Sequence, residues 1–392
     1  MLSQEIKRCV EKFYSRGVEI RRRIHQNPEL SEQERETAQL AADTLREFGI
    51  ATRTSIAGNG VLGLIRGGKP GKTVLLRADM DALALNEEAD VPYKSKKPGI
   101  MHACGHDGHT AGLLLAAMAL SELRDKLPGT VKLMFQPAEE TVGGAEGMIE
   151  AGILEDPHVD AAFGCHLWGQ GEEGTVQVKS GPLMAAPDEF RVTLKGRGGH
   201  AGLPHSAVDP VVLAAHAILE FQDIMSRRKD PFVPAVLSVC MVRGGHTHNV
   251  IPESVELQGT IRTFDEETRS FIPREMEKIL RGLTLAAGAS YSFESLRRYP
   301  PLINDPAATE IVRKAAEKIV GPDKVGAARE TMGGEDFAYV AQKIPSSFFM
   351  VGIAPPGKQV IHHSPHFQWD ERALKVSAAC LCQTAFDFLL ES

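Results

Sequence analysis

Short apolar runs rich in Val and Leu, separated by stretches of helical period, set the strongest limit on how this chain folds. Gly60–Ile65, Thr73–Ala78, Val131–Gln136, Ala161–Leu167 and Thr175–Val178 read as strands of a sheet covered on both faces. Helical stretches at about Gln4–His25 and Ser31–Phe48 can supply cover, and the alternation predicts an α/β domain. Ser31 with Glu34 three residues on predicts a capping box at the start of the second helix. Arg21-Arg22-Arg23 lies in the first amphipathic stretch and reads as a solvated face.

The texture changes near Ala186. Strand Glu189–Lys195, helix Ala207–Met225, strands Ala235–Arg243 and Val255–Phe264, helix Glu266–Ala287 and strand Ser290–Leu296 follow the β-α-β-β-α-β order of a ferredoxin-like unit. After Pro300-Pro301 the earlier alternation resumes, with helices near Ala307–Val320 and Leu374–Leu390. A chain of 392 residues exceeds the usual single core. The expected organisation is therefore one α/β domain, residues 1–186 and 299–392, interrupted by an inserted α+β domain, residues 187–298.

A hydrophobic share of 43% with 24% charged residues is that of a folded globular protein, which argues against disorder. The net charge of -7 and the lack of an isolated basic run give no footprint for nucleic acid or an anionic membrane. The longest apolar run, Ala111–Leu120, is about half of what a bilayer-spanning helix needs and reads as a buried helix. The N-terminus is charged at once and lacks the apolar stretch of a secretory signal. With that start, six cysteines fit a reducing compartment better than a disulfide framework, and a cytoplasmic location is expected.

Polar residues cluster where the predicted strands end. His102, Cys104, His106, Asp107 and His109 share one segment just before the apolar helix, and thiolate and imidazole together suit zinc, manganese or related ions. Glu139 and Glu140 follow a strand and a proline, at the strand end where open α/β sheets bind ligands. His166 sits near the end of another strand, and His362, His363 and His366 precede the last helix. Asp79 and Asp81 alternate, so both side chains point to one face. Two buried acids imply a metal or a protonated partner. These residue types leave two chemistries open: water activated by metal, or Cys104 as nucleophile with His106 or His109 as its base.

The ordered motifs His25-Gln26-Asn27-Pro28-Glu29-Leu30-Ser31, Arg77-Ala78-Asp79-Met80-Asp81-Ala82-Leu83, the Cys104 segment, Gln136-Pro137-Ala138-Glu139-Glu140, Gly198-Gly199-His200-Ala201-Gly202, Gly333-Gly334-Glu335-Asp336-Phe337 and His363-Ser364-Pro365 resemble the M20 metallopeptidase family. The nearest branch holds N-acyl-amino-acid amidohydrolases, hippurate hydrolases and auxin-conjugate hydrolases. The resemblance covers nearly the whole chain. It implies a mixed-sheet, zinc-peptidase-like catalytic domain with an inserted ferredoxin-like lid and dimerisation domain. It further implies two divalent ions per chain (Zn, Mn, Co or Ni), with Cys104, His106, Glu140, His166 and His363 as matching ligands, Glu139 as general base and Asp81 orienting a ligand histidine. Where most relatives carry a ligand histidine this chain has Asp79, a substitution that Cys104 compensates in this branch.

In the inserted domain His200 resembles a histidine that reaches a neighbouring subunit's active site to stabilise the oxyanion, and Asn249 and Arg262 match substrate-binding residues. A bidentate arginine suits a free α-carboxylate. The implied reaction is hydrolysis of the amide of N-acyl-L-amino acids by metal-activated water, Glu139 taking the proton while the neighbouring Glu140 side chain diverges from it. Carboxypeptidase or dipeptidase activity, and metal-dependent binding without turnover, are the alternatives. A small-molecule substrate and a homodimer or homotetramer are expected, with neither nucleic acid nor membrane as partner.

Overall fold

The apolar runs form strands whose order explains why they have no polar face. In the computed structural model, which describes Leu2–Glu391, the large sheet has the order Ala51–Ile56, Gly60–Arg66, Pro128–Gln136, Lys69–Asp79, Ala161–Glu172, Ser346–Ala354, Val176–Val178, Val325–Ala327. Pro128–Gln136, Lys69–Asp79, Ala161–Glu172 and Ser346–Ala354 run parallel. Gly60–Arg66 is antiparallel to its neighbours, so the sheet is mixed. Thr73–Asp79, Val131–Gln136 and all of Ser346–Ala354 are buried, as parallel strands covered on both faces require.

Three helices come early in the chain: α1 (Leu2–Gln26), α2 (Arg35–Glu47) and α3 (His106–Glu122). Helix α3 is buried continuously from His106 to Leu120. It packs on α1, on the strand Lys69–Asp79 and on the helix Ala373–Leu390. A helix apolar all round has to be enclosed in this way. Ala373–Leu390 is itself apolar and long enough to cross a membrane by composition, yet 72% of it is buried inside the protein.

Two local expectations fail, each for an electrostatic reason. Arg21 is not on a solvated face: it is 1% exposed, its Nε lies 2.8 Å from Asp107 Oδ2, and its guanidinium packs over Tyr93 and Trp369. A buried carboxylate in the first turn of α3 requires that cation. Helix α2 starts at Arg35 without the capping box. Glu29 caps it instead, accepting from Glu36 N at 3.0 Å and from Thr37 N and Oγ1 at 2.9 and 3.0 Å. Ser31 donates to Asp81, and Glu34 accepts from Ala138 N and Asn59 Nδ2.

Backbone contacts divide the chain into two compact units, the first comprising residues up to Gly181, Ile303–Arg329 and Asp336 onward, the second Pro182–Leu302 with Glu330–Glu335. The second unit is wider than residues 187–298 because Glu330–Glu335 returns to it: Ala185 N donates to Thr331 O and Gly333 O. Its sheet has the order Ala235–Arg243, Ser254–Thr263, Ala186–Lys195, Ser290–Leu296, antiparallel throughout. Helices Pro210–Asp223 and Glu266–Ala287 close its core through Leu213, Phe221, Ile272 and Leu280.

The Glu29 cap gives a stability test. Glu29→Ala strips two N–H groups at the start of α2 of their acceptor, a loss of about 1–2 kcal/mol. Calorimetry is expected to show the melting transition of the first unit lowered by a few degrees. An unchanged transition contradicts the capping role.

Candidate metal centre

The C-terminal ends of the parallel strands gather the polar residues. Asp79 pairs in register with Gln136, so the segments reaching Asp81 and Glu139-Glu140 leave the sheet side by side. Helix α3 starts abruptly at His106, after Gly105 at φ 102°, a left-handed conformation that glycine adopts without cost. At Gly108 a Cβ would stand 2.5 Å from both Leu167 and Trp369, so only glycine lets the first turn of α3 press against the His166 strand. Ala138 and His363 are left-handed without being glycine, at φ 56° and 57°. Such strain persists where the surroundings over-determine it, often at functional sites.

All five residues expected as ligands meet in the first unit. The ligand atoms of Cys104, His106 and His166 lie within 4.8 Å of one another, as do those of Cys104, Glu140 and His363. Cys104 belongs to both groups. His106 Nδ1 faces Asp81 Oδ1 at 3.1 Å, so the ring, once neutral, keeps its proton on Nδ1 and frees the Nε2 lone pair. His166 Nδ1 donates to Leu167 O at 2.8 Å, which leaves its Nε2, 3.5 Å from Cys104 Sγ, in the same state. Glu140 Oε1 is buried without a hydrogen bond, 3.4 Å from His363 Nε2 and 3.8 Å from His106 Nε2. Soft and borderline donors around an orphaned carboxylate oxygen fit a divalent transition metal.

The electrostatics agree with that donor set. Burial opposes a charged His106, yet Asp79, Cys104 and Asp81 outweigh it and hold the ring well above its ordinary range. Contacts with Cys104, then Glu140, push His363 up to about 10. Protons are thus drawn to His106 and His363 by the acidic groups around them, where metal cations would compete. Burial and then the neighbouring histidines keep His166 well below the ordinary range, neutral as a ligand must be. Burial, then Glu140, raises the Cys104 thiol, the reverse of what a free nucleophilic cysteine needs.

His109 and Asp79 lie beside the donors but are already committed. His109 Nδ1 donates to Asp79 Oδ1 at 2.7 Å, and its Nε2 accepts from Leu167 N at 2.9 Å. With both nitrogens used, it offers neither a ligand lone pair nor a base for Cys104. Asp79 Oδ2 takes Arg77 Nη1 at 2.7 Å, and the same guanidinium holds Asp336 and Gln136. Arg77 and His109 therefore answer the charge of Asp79. His102 is 1% exposed, joins none of the donor groups, and burial pushes it down to about 3.

Glu139 and Glu140 do not diverge as expected. Their carboxylate oxygens and a His106 ring nitrogen lie within 4.8 Å of one another. The cause is the backbone: both residues sit in a turn after left-handed Ala138, outside the extended geometry that alternates side chains. Ser31, Glu34, Arg77 and Asp336 complete this surrounding, and the sequence reading gives none of them a part in the site, placing Ser31 and Glu34 in a helix cap instead. Arg77 carries one usable signal, since it precedes Asp79 by two residues and shares its face of the strand.

His200, Asn249 and Arg262 belong to the second unit. His200 pairs with Val250, and its Nδ1 accepts from Gly202 N at 3.0 Å, leaving Nε2 as an exposed donor. Asn249 O accepts from Ala201 N at 3.1 Å. Arg262 is half-buried, its pKa lowered by burial, and Asp188, the acid nearest in the sheet register, is bound to Arg269 at 2.7 Å.

Residues 75–387 match the family described as peptidase family M20/M25/M40. The chain is 45% identical over 305 residues to the N-acyl-L-amino acid amidohydrolase of Geobacillus stearothermophilus, covering 78% of this chain and 82% of that protein. It is 39% identical to thermostable carboxypeptidase 2 of Saccharolobus solfataricus, over 99% of both. Among solved structures it resembles the YXEP protein of Bacillus subtilis, described as a dinuclear metal binding peptidase from the M20 family, with a TM-score of 0.86, 36% identity and coverage of 97% and 99%.

The hydrogen bonds fix ring tautomers that nitrogen NMR on histidine-labelled protein can read. His109 and His166 are both expected as the Nδ1–H form. A protonated Nε2 on either ring contradicts the geometry.

Proposed function

Because the chain belongs to peptidase family M20/M25/M40, we propose that it is a metal-dependent amidohydrolase cleaving the amide bond of N-acyl-L-amino acids into a carboxylic acid and a free amino acid. One observation carries this reading: the His106 and His166 lone pairs, Cys104 Sγ, His363 and the orphaned Glu140 oxygen converge beside Glu139. In the proposal Cys104, His106, Glu140, His166 and His363 hold two divalent ions. Such ions bring the pKa of water towards neutrality and polarise a carbonyl.

The chain's own residues then have distinct tasks. Glu139, 7% exposed, takes a proton from water and delivers it to the departing amine nitrogen, base first and acid second. Asp81 fixes the tautomer of His106. On the second unit, Arg262 receives the α-carboxylate of the substrate, and a half-buried guanidinium suits that anion. Asn249 hydrogen-bonds the substrate, and His200 donates through Nε2 to the developing oxyanion, a role that in this reading is played across a dimer. Support for a homodimer comes from the outer edge of the strand Ala235–Arg243, which pairs with no further strand among the described residues, and from exposed Val211, Val212 and Leu219 on the helix Pro210–Asp223. All six cysteines are free thiols, as a cytoplasmic location allows.

The relative named as a carboxypeptidase supports a second reading, peptide rather than acyl-amino-acid substrate, which uses the same residues on the same bond. A panel of N-acetyl, N-benzoyl and indole-acetyl amino acids and dipeptides, offered to metal-reconstituted protein, tests both. Turnover of an N-acyl amino acid, lost on chelation and restored by manganese, cobalt or zinc, is the expected result. Turnover of dipeptides alone rejects the first reading, and turnover that survives exhaustive chelation rejects both.

Glu139→Ala is expected to lower kcat by about 10²–10⁴-fold, while elemental analysis finds the metal retained. Cys104→Ala is expected to lower metal content. Arg262→Ala is expected to raise KM by about tenfold or more, the loss of a charge-assisted contact. Full metal occupancy in Cys104→Ala contradicts the ligand assignment.

A further inference from the structure

The sequence pattern Ser31-x-x-Glu34 looks like a helix cap, but in the structure both side chains turn away from α2. Ser31 Oγ donates to Asp81 Oδ2 at 2.7 Å, and Glu34 Oε1 accepts from Ala138 N at 2.7 Å. Glu34 Oε2 accepts from Asn59 Nδ2 at 3.2 Å. Capping has passed to Glu29, which leaves Glu34 free for the turn that carries Glu139.

Glu34 is fully buried, and its hydrogen bonds come from backbone N–H groups and a carboxamide, with no cation in an ion pair with it among the described residues. A buried carboxylate held only by neutral donors is costly. Burial, with Asp81 adding to it, accordingly raises its pKa. Its own N–H, then Ala138 N and Asn59 Nδ2, offset part of this cost. Ala138 has a φ of 56°, itself unfavourable for an L residue by about 1–2 kcal/mol. Ala138 O accepts from Gly143 N at 3.0 Å and Gly144 N at 3.2 Å. On the far side of Glu139, Glu140 N donates to Asp81 Oδ2 at 2.9 Å. The N–H groups before and after Glu139 therefore both end on buried carboxylates that reach in from other segments.

We infer that Glu34 is a positioning residue for Glu139: its carboxylate holds the Ala138 peptide in the left-handed turn that aims the Glu139 side chain. The inference rests on the proposed role of Glu139 as general base. Glu34 touches neither substrate nor metal in this account. What matters is an acceptor at the right reach, not a negative charge.

Two substitutions separate reach from charge. Glu34→Asp keeps the charge but falls short of Ala138 N, whereas Glu34→Gln keeps the reach with a neutral acceptor. In metal-loaded protein acting on N-acetyl-L-methionine, Glu34→Asp is expected to lose about 10²-fold in kcat, the scale of a small misplacement. KM and metal content stay near wild type, and Glu34→Gln recovers most of the rate. Hydrogen exchange of the peptide spanning residues 136–144 gives a readout that needs no substrate: faster exchange is expected in Glu34→Asp and wild-type protection in Glu34→Gln. Wild-type kcat and exchange in Glu34→Asp overturn the inference, as does equal damage in both variants or a loss of metal that accounts for the loss of rate. If Glu34→Asp does not fold, Glu34→Gln decides alone, near-wild-type rate and protection upholding the inference and loss of either overturning it. If wild type turns over no N-acyl amino acid, the proposed function fails, and the exchange data still judge whether Glu34 holds the turn.

Discussion

The site hangs on the carboxylate of Asp81. One oxygen faces His106 Nδ1 at 3.1 Å, and the other accepts from Glu140 N at 2.9 Å and Ser31 Oγ at 2.7 Å. Burial works against its charge, but those donors outweigh it and hold its pKa below the ordinary range. A single side chain thereby ties the start of α3, the turn bearing both glutamates and the loop before α2. The relative position of two proposed ligands, His106 and Glu140, is set by this group rather than by either ligand's own strand or helix. Charge-assisted hydrogen bonds are short and directional, which is what such positioning demands.

Beneath the donors lie two further charge-compensated clusters. Arg77 joins Asp79, Asp336 and Gln136. Asp107 is held at 2.8 Å by both Arg21 Nε and His25 Nδ1, and His25 Nε2 meets Glu87 at 3.1 Å. Burial opposes the Asp107 charge, yet Arg21 and His25 keep it far below the ordinary carboxylate range. The segment His25–Glu34 is the thread through this arrangement. His25 clamps the first turn of α3, Glu29 caps α2, Ser31 braces Asp81 and Glu34 braces Ala138. A stretch that reads as the end of one helix, a short link and the capped start of the next is a set of four anchors.

What was legible in the sequence was whatever depends on local pattern. The covered strands Thr73–Ala78, Val131–Gln136 and Ala161–Leu167 announce themselves by runs rich in apolar residues, broken only by Arg77, by Lys132 and Gln136, and by His166, and the motifs at their ends announce the donors. The mixed sheet with its family resemblance came from the same motifs. Ala51–Ile56 was not legible because Thr52, Arg53, Thr54 and Ser55 make it a polar edge strand. Ser346–Ala354, although wholly buried, does not stand out in the sequence, since its start of two serines and Gly352 blur the run. Side-chain partners were the least legible. Ser31 and Glu34 satisfy a local rule equally well whether they cap a helix or reach Asp81 and Ala138. Only the long-range pairing that brings Gln136 beside Asp79 decides between them. The commitment of His109 to Asp79 and Leu167 is likewise a tertiary fact.

The central claim is a metal centre that includes a thiolate, and X-ray absorption at the metal edge tests it most directly. With zinc-loaded, fully reduced wild-type protein, the account predicts a sulfur shell at about 2.3 Å from Cys104 beside nitrogen and oxygen neighbours at about 2.0–2.2 Å. A spectrum fitted by nitrogen and oxygen alone would contradict it.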